Sequence, residues 1–308
     1  MTQQDAADGP SRPEKVLWPA VGLTKRDLWD YVDACATRLL TTVGDRPLSL
    51  KRFPDGIDAE GFFQKDLPDW APDHVRRCRV WSPTSEREIA YAVADDVADL
   101  RWLANIAVVE FHALSWRTDK PQRPDGVVLD LDPGDDGVSA VTAAWWVRET
   151  LDALGLPALV KTSGKRGLHV HVPVERRYSP GVLRGFALAI GRATVAAHPR
   201  ELTVEMRKAR RHGRLLVDWS RNGEQQTAVS AWSPRATPQA TVATPLAWDE
   251  VDADLDPTAL TISSVPQRGD PWAHPPAGAR IERACHALAD QGIEPKDRSP
   301  RSSAPVQR

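Results

Sequence analysis

Val127-Val128-Leu129-Asp130-Leu131-Asp132-Pro133 is an apolar run that carries two carboxylates one alternation apart and closes on a proline. A short run of aliphatic residues bounded by turn residues reads as a buried strand, ended here by Pro133 and the turn Gly134-Asp135-Asp136-Gly137. Side chains at i and i+2 of a strand share one face, roughly 6–7 Å apart at Cα. Two ionised carboxylates on that face repel each other and lose hydration, so the pair is costly unless something offsets it. Two readings stay open from these residues: a divalent metal pair held by Asp130 and Asp132, or strand-end residues that face water.

Working outward, Ser139–Leu154 reads as a helix ended by Gly155, followed by a strand Leu159–Thr162. Ser163-Gly164-Lys165-Arg166-Gly167 then leads into a returning strand, Leu168–Pro173, and Ser179-Pro180 opens a helix that continues to about His198. A basic run, Arg207–Arg214, precedes the apolar strand Leu215–Trp219, for which Thr227–Trp232 is the expected hairpin partner. Upstream, Thr24 and Asp27 form a capping-box pattern for a helix from Lys25 to about Leu40. Pro47–Phe53 reads as a strand and Gly61–Lys65 as an extended segment whose adjacent aromatics point to opposite faces, so that Phe62 and Phe63, read alone, are either both ordinary packing residues or a pair with one member exposed. A strand near Ile89–Val93, a helix near Asp96–Ala104 and a strand Ala107–Phe111 lead to His112. Short helices are expected near Trp248–Val251 and Ala279–Gln291. The pattern predicts one α/β unit over residues 12–291 with a smaller N-terminal lobe, between polar tails at 1–11 and 292–308 that read as disordered.

A chain of 308 residues with 41% hydrophobic residues has enough apolar surface for a sizeable core without covalent staples. The three cysteines (Cys35, Cys78 and Cys285) are too few for a disulfide framework, which points to a reducing, cytoplasmic setting. No apolar run reaches membrane-spanning length, so no membrane partner is expected. A net charge of -2 leaves nucleic acid open, because binding depends on local patches.

Asp218 adds a third acid at the end of an apolar strand. Three carboxylates converging from neighbouring strands can hold two Mg²⁺ or Mn²⁺ ions for in-line phosphoryl transfer, although each aspartate taken alone reads as a strand end in water. The Ser163–Gly167 loop is either a plain turn or an anion cradle, with glycine amides assisted by Lys165 and Arg166; it lacks the spacing of a P-loop. His169 and His171 alternate on one strand face, suited either to phosphate or metal contact or to hydrogen bonding within a core. Arg207–Arg214 is either a solvated loop or a track for a nucleic-acid backbone.

The ordered set Asp-Leu-Asp-Pro, Ser-Gly-Lys-Arg-Gly-Leu-His and Val-Asp-Trp-Ser-Arg-Asn resembles the polymerase domain of bacterial DNA ligase D, within the archaeo-eukaryotic primase superfamily. Glu14–Pro19, Gly22–Lys25, Leu50–Phe53, Gly61–Lys65, Trp232–Ala236 and Val242–Leu246 extend the likeness from about Arg12 to Val251. The resemblance implies a primase-polymerase fold whose central mixed or antiparallel sheet is flanked by helices. It implies two Mn²⁺ or Mg²⁺ ions on Asp130, Asp132 and Asp218, the last helping to hold the ion that activates a primer 3′-OH. His112, Ser163, Lys165, Arg166, His169, Arg221 and Arg235 would then face the nucleoside triphosphate. Lys15 and Lys25 match phosphate-binding lysines that recognise a 5′-phosphate at a DNA gap or end. Phe62 and Phe63 match aromatics that stack on the template, and Lys51 and Arg52 would line its path.

The sequence departs from the family at Arg12, where asparagine is common, and in the order Lys165-Arg166 within the second motif. No ligase or phosphoesterase module follows the matched region, so a stand-alone form working with a separate ligase is the expectation. The implied activity is template-dependent addition of nucleotides, preferentially ribonucleotides, to a 3′-OH in non-homologous end joining, with Ku as a partner, near the nucleoid; primase activity also lies within the superfamily. Two rivals remain: a non-catalytic module that bridges DNA ends, and a two-metal nuclease, which has no need of a triphosphate cradle.

Overall fold

The computed structural model of this chain describes residues 9–134 and 137–295. Asp135 and Asp136 of the turn after the Asp-Leu-Asp strand, and most of the two tails, lie outside the described residues. In chain order the elements begin with β1 (Val16–Trp18), β2 (Leu23–Thr24), α1 (Lys25–Ala34), α2 (Ala36–Val43), β3 (Leu48–Arg52) and β4 (Phe62–Gln64). There follow β5 (Arg76–Ser82), β6 (Arg87–Val93), α3 (Val97–Asn105), β7 (Val108–Leu114), β8 (Gly126–Asp132) and α4 (Ala140–Ala153). The chain continues through β9 (Leu159–Thr162), β10 (Leu168–Pro173), α5 (Pro180–Ala197), β11 (Leu202–Thr203) and β12 (Leu215–Asp218). It closes with β13 (Thr227–Val229), β14 (Pro245–Leu246) and α6 (Glu282–Asp290), giving a mixed α/β fold.

These elements cluster into two compact units, neither of them one continuous stretch. The first takes Met1–Pro121, Leu159–Leu168 and Thr227–Pro275; the second takes Gln122–Ala158, His169–Gln226 and Pro276–Arg308. In the first unit an antiparallel sheet runs β13-β7-β3-β6-β5, with β4 added to β3, and β9 pairs with β14. In the second, β11, β12, β8 and β10 lie side by side; β11–β12 is parallel and β12–β8 antiparallel, so the sheet is mixed. Helices α4 and α5 pack on β8 and on each other, burying Val147, Leu151, Leu183 and Phe186 with Val127, Leu129 and Leu131 of the strand. Alternation therefore gives β8 one apolar face toward the helices and leaves Asp130 and Asp132 on the other.

The Thr24–Asp27 capping box forms as its sequence pattern predicts, with the Thr24 N–H donating to the Asp27 carboxylate at 2.6 Å. The single helix expected from Lys25 to Leu40 is instead two, α1 and α2, because Cys35 leaves the helical region at φ −102° and ψ 6°. The bend lets both helices grip one backbone segment: the Tyr31 hydroxyl donates to the Trp232 carbonyl at 2.6 Å and Thr42 Oγ1 to the Ala231 carbonyl at 3.0 Å. Thr227–Val229 does not form a hairpin with β12; it pairs with β7, since both edges of β12 are occupied by β11 and β8. Strand β5 had no strong signal in the sequence, because its Arg-Arg-Cys-Arg run reads as a polar loop. Its seven-residue ladder with β6 and the Arg76 ion pairs to Asp95 and Asp45 hold it in the sheet.

Candidate active site

In the second unit β12 runs antiparallel to β8 with Asp218 directly opposite Asp130 and Leu216 opposite Asp132. Directly paired residues share a face, as do residues two apart on one strand, so all three carboxylates project from one side of the sheet. Asp218 is buried, Asp130 half-buried and Asp132 exposed. Two arginines offset the charge and a histidine stands beside it: Arg221 Nε lies 3.7 Å from Asp130 and 3.4 Å from Asp218, Arg211 lies 3.5 Å from Asp132, and His169 Nε2 lies 3.3 Å from Asp130. The turn that carries Arg221 is locked by two contacts. The Ser220 N–H donates to Asp218 at 2.7 Å, and the Asn222 amide pairs with both the N–H and the C=O of Val128 at 2.8 Å each. Asn222 thereby extends the edge of β8 as one more strand residue would, coupling the position of Arg221 to the strand that holds Asp130.

The first unit gathers a second set of charges on its antiparallel sheet. Lys51 of β3 is paired with Phe63 of β4 on one side and Glu110 of β7 on the other, and His112 lies two residues beyond Glu110. Phe63, Lys51, Glu110 and His112 therefore share one sheet face. Phe63 meets the His112 ring edge-on at 5.2 Å, and Lys51 Nζ sits 5.6 Å from the Phe63 ring centre. Glu110 is 2% exposed, yet it accepts from His112 Nε2 at 2.9 Å and from the Ala236 N–H at 3.1 Å, and it stands 3.3 Å from Arg235 Nε. Burial alone would raise the Glu110 pKa; the His112 hydrogen bond and the Arg235 charge outweigh it and bring it to about 2. Burial lowers the His112 pKa, against the pull of Glu110.

Arg235 reaches from Glu110 to the Ser163–Gly167 loop, where Nη1 donates to the Ser163 carbonyl at 2.6 Å. The Ser163 hydroxyl accepts from the N–H groups of Lys165 and Gly167 at 3.2 Å each, which folds the loop around its own amides. Lys165 and Arg166 are exposed at its tip. Partial desolvation of the Lys165 ammonium, with Arg235 nearby, lowers its pKa although the side chain is exposed. The backbone of Arg235 is anchored by the buried Trp18 indole, whose Nε1 donates to the Arg235 carbonyl at 3.2 Å.

Elsewhere in the first unit, Lys15 is paired with Asp55 at 2.8 Å, and Lys25 Nζ donates to the Ser11 carbonyl at 2.6 Å and to its hydroxyl at 3.0 Å. Burial and the charges of Arg12 and Lys15 lower the Lys25 pKa to about 8. Phe62 and Phe63 are both open to solvent, at 46% and 53%, because β4 is a short strand paired only to β3. Arg52 lies over the Phe62 ring at 5.4 Å, as Lys51 does over Phe63.

The model of the LigD primase-polymerase domain matches residues 24–275. The chain belongs to the LigD primase-polymerase domain family. It is 34% identical over 260 residues to a multifunctional non-homologous end joining protein LigD of Mycobacterium bovis, covering 81% of this chain and 34% of that protein. It is 33% identical to the bifunctional non-homologous end joining protein LigD of Bacillus subtilis, covering 83% of this chain and 41% of that protein. The chain thus spans about a third to two fifths of the length of these curated relatives. Among solved structures it resembles the polymerase domain of Mycobacterium tuberculosis ligase D in complex with DNA, with a TM-score of 0.79 and 32% identity over 85% of this chain and 95% of that one.

For a LigD primase-polymerase domain, the donor chemistry of the acids suits a divalent ion. Asp130, Asp132 and Asp218 offer only oxygen ligands, the preference of a hard divalent ion such as Mg²⁺ or Mn²⁺, from a single sheet face. Among the described residues no three His, Cys, Asp or Glu side chains are already gathered closely enough to hold one ion; at Asp130 and Asp218 the Arg221 guanidinium is the neutralising group. Two residues that organise these clusters were not assigned a role from the sequence, Glu110 and Asn222. Asn222 ends the Val-Asp-Trp-Ser-Arg-Asn stretch, but its pairing with the Val128 backbone depends on strand register. Glu110 offered only its carboxylate in an apolar strand, two residues before His112, as a signal.

Proposed function

We propose that this chain is a template-directed nucleotidyltransferase that adds nucleotides, ribonucleotides in preference, to a 3′-OH at gaps or ends in DNA during repair of double-strand breaks by non-homologous end joining. The carrying observation is Asp218 standing opposite Asp130, with Asp132 on the same sheet face. Asp130, Asp132 and Asp218 would hold Mn²⁺ or Mg²⁺, which supplies activation of the 3′-hydroxyl and neutralisation of charge on the reacting phosphates. The reaction forms the bond from the 3′-oxygen to the α-phosphorus and breaks the bond to the bridging oxygen of the β-phosphate. Pyrophosphate leaves, and the hydroxyl proton passes to solvent.

His112, Lys165, Arg166 and Arg235 bind the triphosphate, with Ser163 shaping the loop that presents the two basic residues, and His169 orients Asp130. Arg221, which offsets the acids in this structure, turns to the phosphates once those acids have another counter-charge, so a single guanidinium serves both conditions. Lys15 and Lys25 hold a downstream 5′-phosphate, Phe62 and Phe63 stack on template bases, and Lys51 and Arg52 follow its backbone. Ku and a DNA ligase are the partners such a reaction needs, to bring ends together and to seal them.

Primer extension on a gapped duplex carrying a 5′-phosphate, with Mn²⁺ and either ribonucleotides or deoxyribonucleotides, tests the reading. Incorporation is expected in the wild type, stronger with ribonucleotides, and absent in Asp130→Ala and Asp218→Ala. Extension that survives either substitution overturns the assignment of the acids. Tight binding of the DNA without any incorporation by the wild type would favour a non-catalytic end-bridging module instead.

A further inference from the structure

Glu110 is a buried carboxylate on a sheet face otherwise lined by cations and aromatics, a costly arrangement for a chain that had no use for it. Its three partners come from two places in the sequence. His112 is two residues along the same strand, Arg235 stands in the segment after Trp232, and the Ala236 N–H belongs to the residue after that. The other charged and aromatic groups facing His112 are Lys51 on β3 and Phe63 on β4. Buried groups of this kind orient what they bind, because breaking a contact leaves an unpaired charge in a low-dielectric site.

We infer that Glu110 is a positioning residue for the nucleotide-binding groups, fixing the His112 imidazole and the Arg235 guanidinium together in one geometry. As a carboxylate it can only accept hydrogen bonds, so it selects the His112 tautomer with the proton on Nε2 and leaves the Nδ1 lone pair as the ring's acceptor. It stands 3.3 Å from Arg235 Nε as an ion-pair partner, while Nη1 is spent on a hydrogen bond to the Ser163 carbonyl. The remaining guanidinium donors are thereby presented in a fixed plane. Sharing one carboxylate also couples the two groups: a shift of His112 is a shift in the anchor of Arg235. The inference rests on the proposed reading that His112 and Arg235 face the triphosphate.

The test uses the full chain with Glu110→Gln and Glu110→Asp, and reads two things. Histidine NMR titration, with His112 identified by comparison with His112→Ala, is expected to show the His112 pKa falling further in Glu110→Gln and standing nearer the wild type in Glu110→Asp. Primer extension is expected to show the KM for the nucleotide rising roughly tenfold or more in Glu110→Gln, with a smaller change in kcat and partial recovery in Glu110→Asp. In a His112→Ala, Arg235→Ala background the Glu110→Gln change should add less than twofold to KM. A folded Glu110→Gln protein with unchanged His112 titration and unchanged KM overturns the inference, as does full additivity in that background. If Glu110→Gln does not fold, Glu110→Asp decides alone: wild-type titration and KM in that variant overturn the inference, and a displaced titration with raised KM supports it. If His112→Ala and Arg235→Ala themselves leave KM unchanged, the nucleotide reading fails, and the titration still reports whether Glu110 sets the state of His112.

Discussion

Substituting Gly164 by alanine probes how tightly the Ser163–Gly167 loop is fitted against Arg235. Gly164 has φ +69°, in the left-handed region, and a Cβ there would lie 2.5 Å from Arg235 Cγ and 3.0 Å from both Ala243 N and Val242 C. Gly22 is a natural control: its φ is +68°, it lies in the same unit, and a Cβ there would meet nothing within 4 Å. Both alanine variants bear the left-handed penalty of about 1–2 kcal/mol. Gly164→Ala bears a second cost. Two of the crowded atoms are backbone, and the third is the stem of a side chain whose head is held by Glu110 and by the Ser163 carbonyl. Overpacking of that kind costs about 1–3 kcal/mol more. Urea unfolding should therefore place Gly164→Ala about 1–3 kcal/mol below Gly22→Ala, and only Gly164→Ala should raise the KM for the nucleotide, because relief of the clash moves Arg235. Equal destabilisation by the two substitutions, or an unchanged KM in a destabilised Gly164→Ala, would refute the close fit of loop and arginine.

Lys25, with its pKa lowered to about 8, should lose affinity for a 5′-phosphorylated gap as pH rises from about 7 to 9, a loss absent in Lys25→Arg; binding titrations over that range check it. Stability moves the other way. Between about pH 8 and 10.4 the folded lysine is neutral while the unfolded one stays charged, so the unfolded state binds more protons and folding becomes more favourable as pH rises. Asn222→Ala removes the amide that pairs with both backbone groups of Val128 and with the Trp219 carbonyl, and should cost about 2–4 kcal/mol in urea unfolding with a marked loss of extension activity. A loss below about 0.5 kcal/mol would mean that water replaces the amide without consequence.

Much of the fold was legible because its helices and central strands carry local signals. The Thr24–Asp27 box, the Ser179-Pro180 start of α5 and the apolar runs of β8 and β12 each state their own structure within a few residues. Elements stabilised by distant partners were not legible. Strand β5 tolerates its arginines because each meets a partner elsewhere: Arg76 is answered by Asp45 and Asp95, more than fifteen residues away on either side, and Arg77 donates to the Pro68 and Ala71 carbonyls. The partner of β13 was misjudged because adjacency in sequence favours β12, whereas the free edge belonged to β7. The bend at Cys35 serves contacts with Ala231 and Trp232, nearly two hundred residues on, and no cap or breaker in the sequence announces it.

The same division runs through the clusters of charge. Asp130 and Asp132 could be read as a same-face pair from alternation alone, but Asp218 joins them only through an antiparallel register that no local pattern encodes. The cost of that carboxylate cluster was visible in the sequence; what meets it was not, since Arg221, His169 and Arg211 come from three different elements. Glu110 is the converse case, a lone acid in an apolar strand whose partners Arg235 and Ala236 lie far away in the sequence. Both arrangements follow one electrostatic rule: a buried charge persists where opposite charges hold it, and each such holder then becomes as position-sensitive as the group it holds. The residues that hold the site together are consequently as constrained as those expected to touch substrate, and for Glu110 and Asn222 that constraint can be measured directly by the substitutions above.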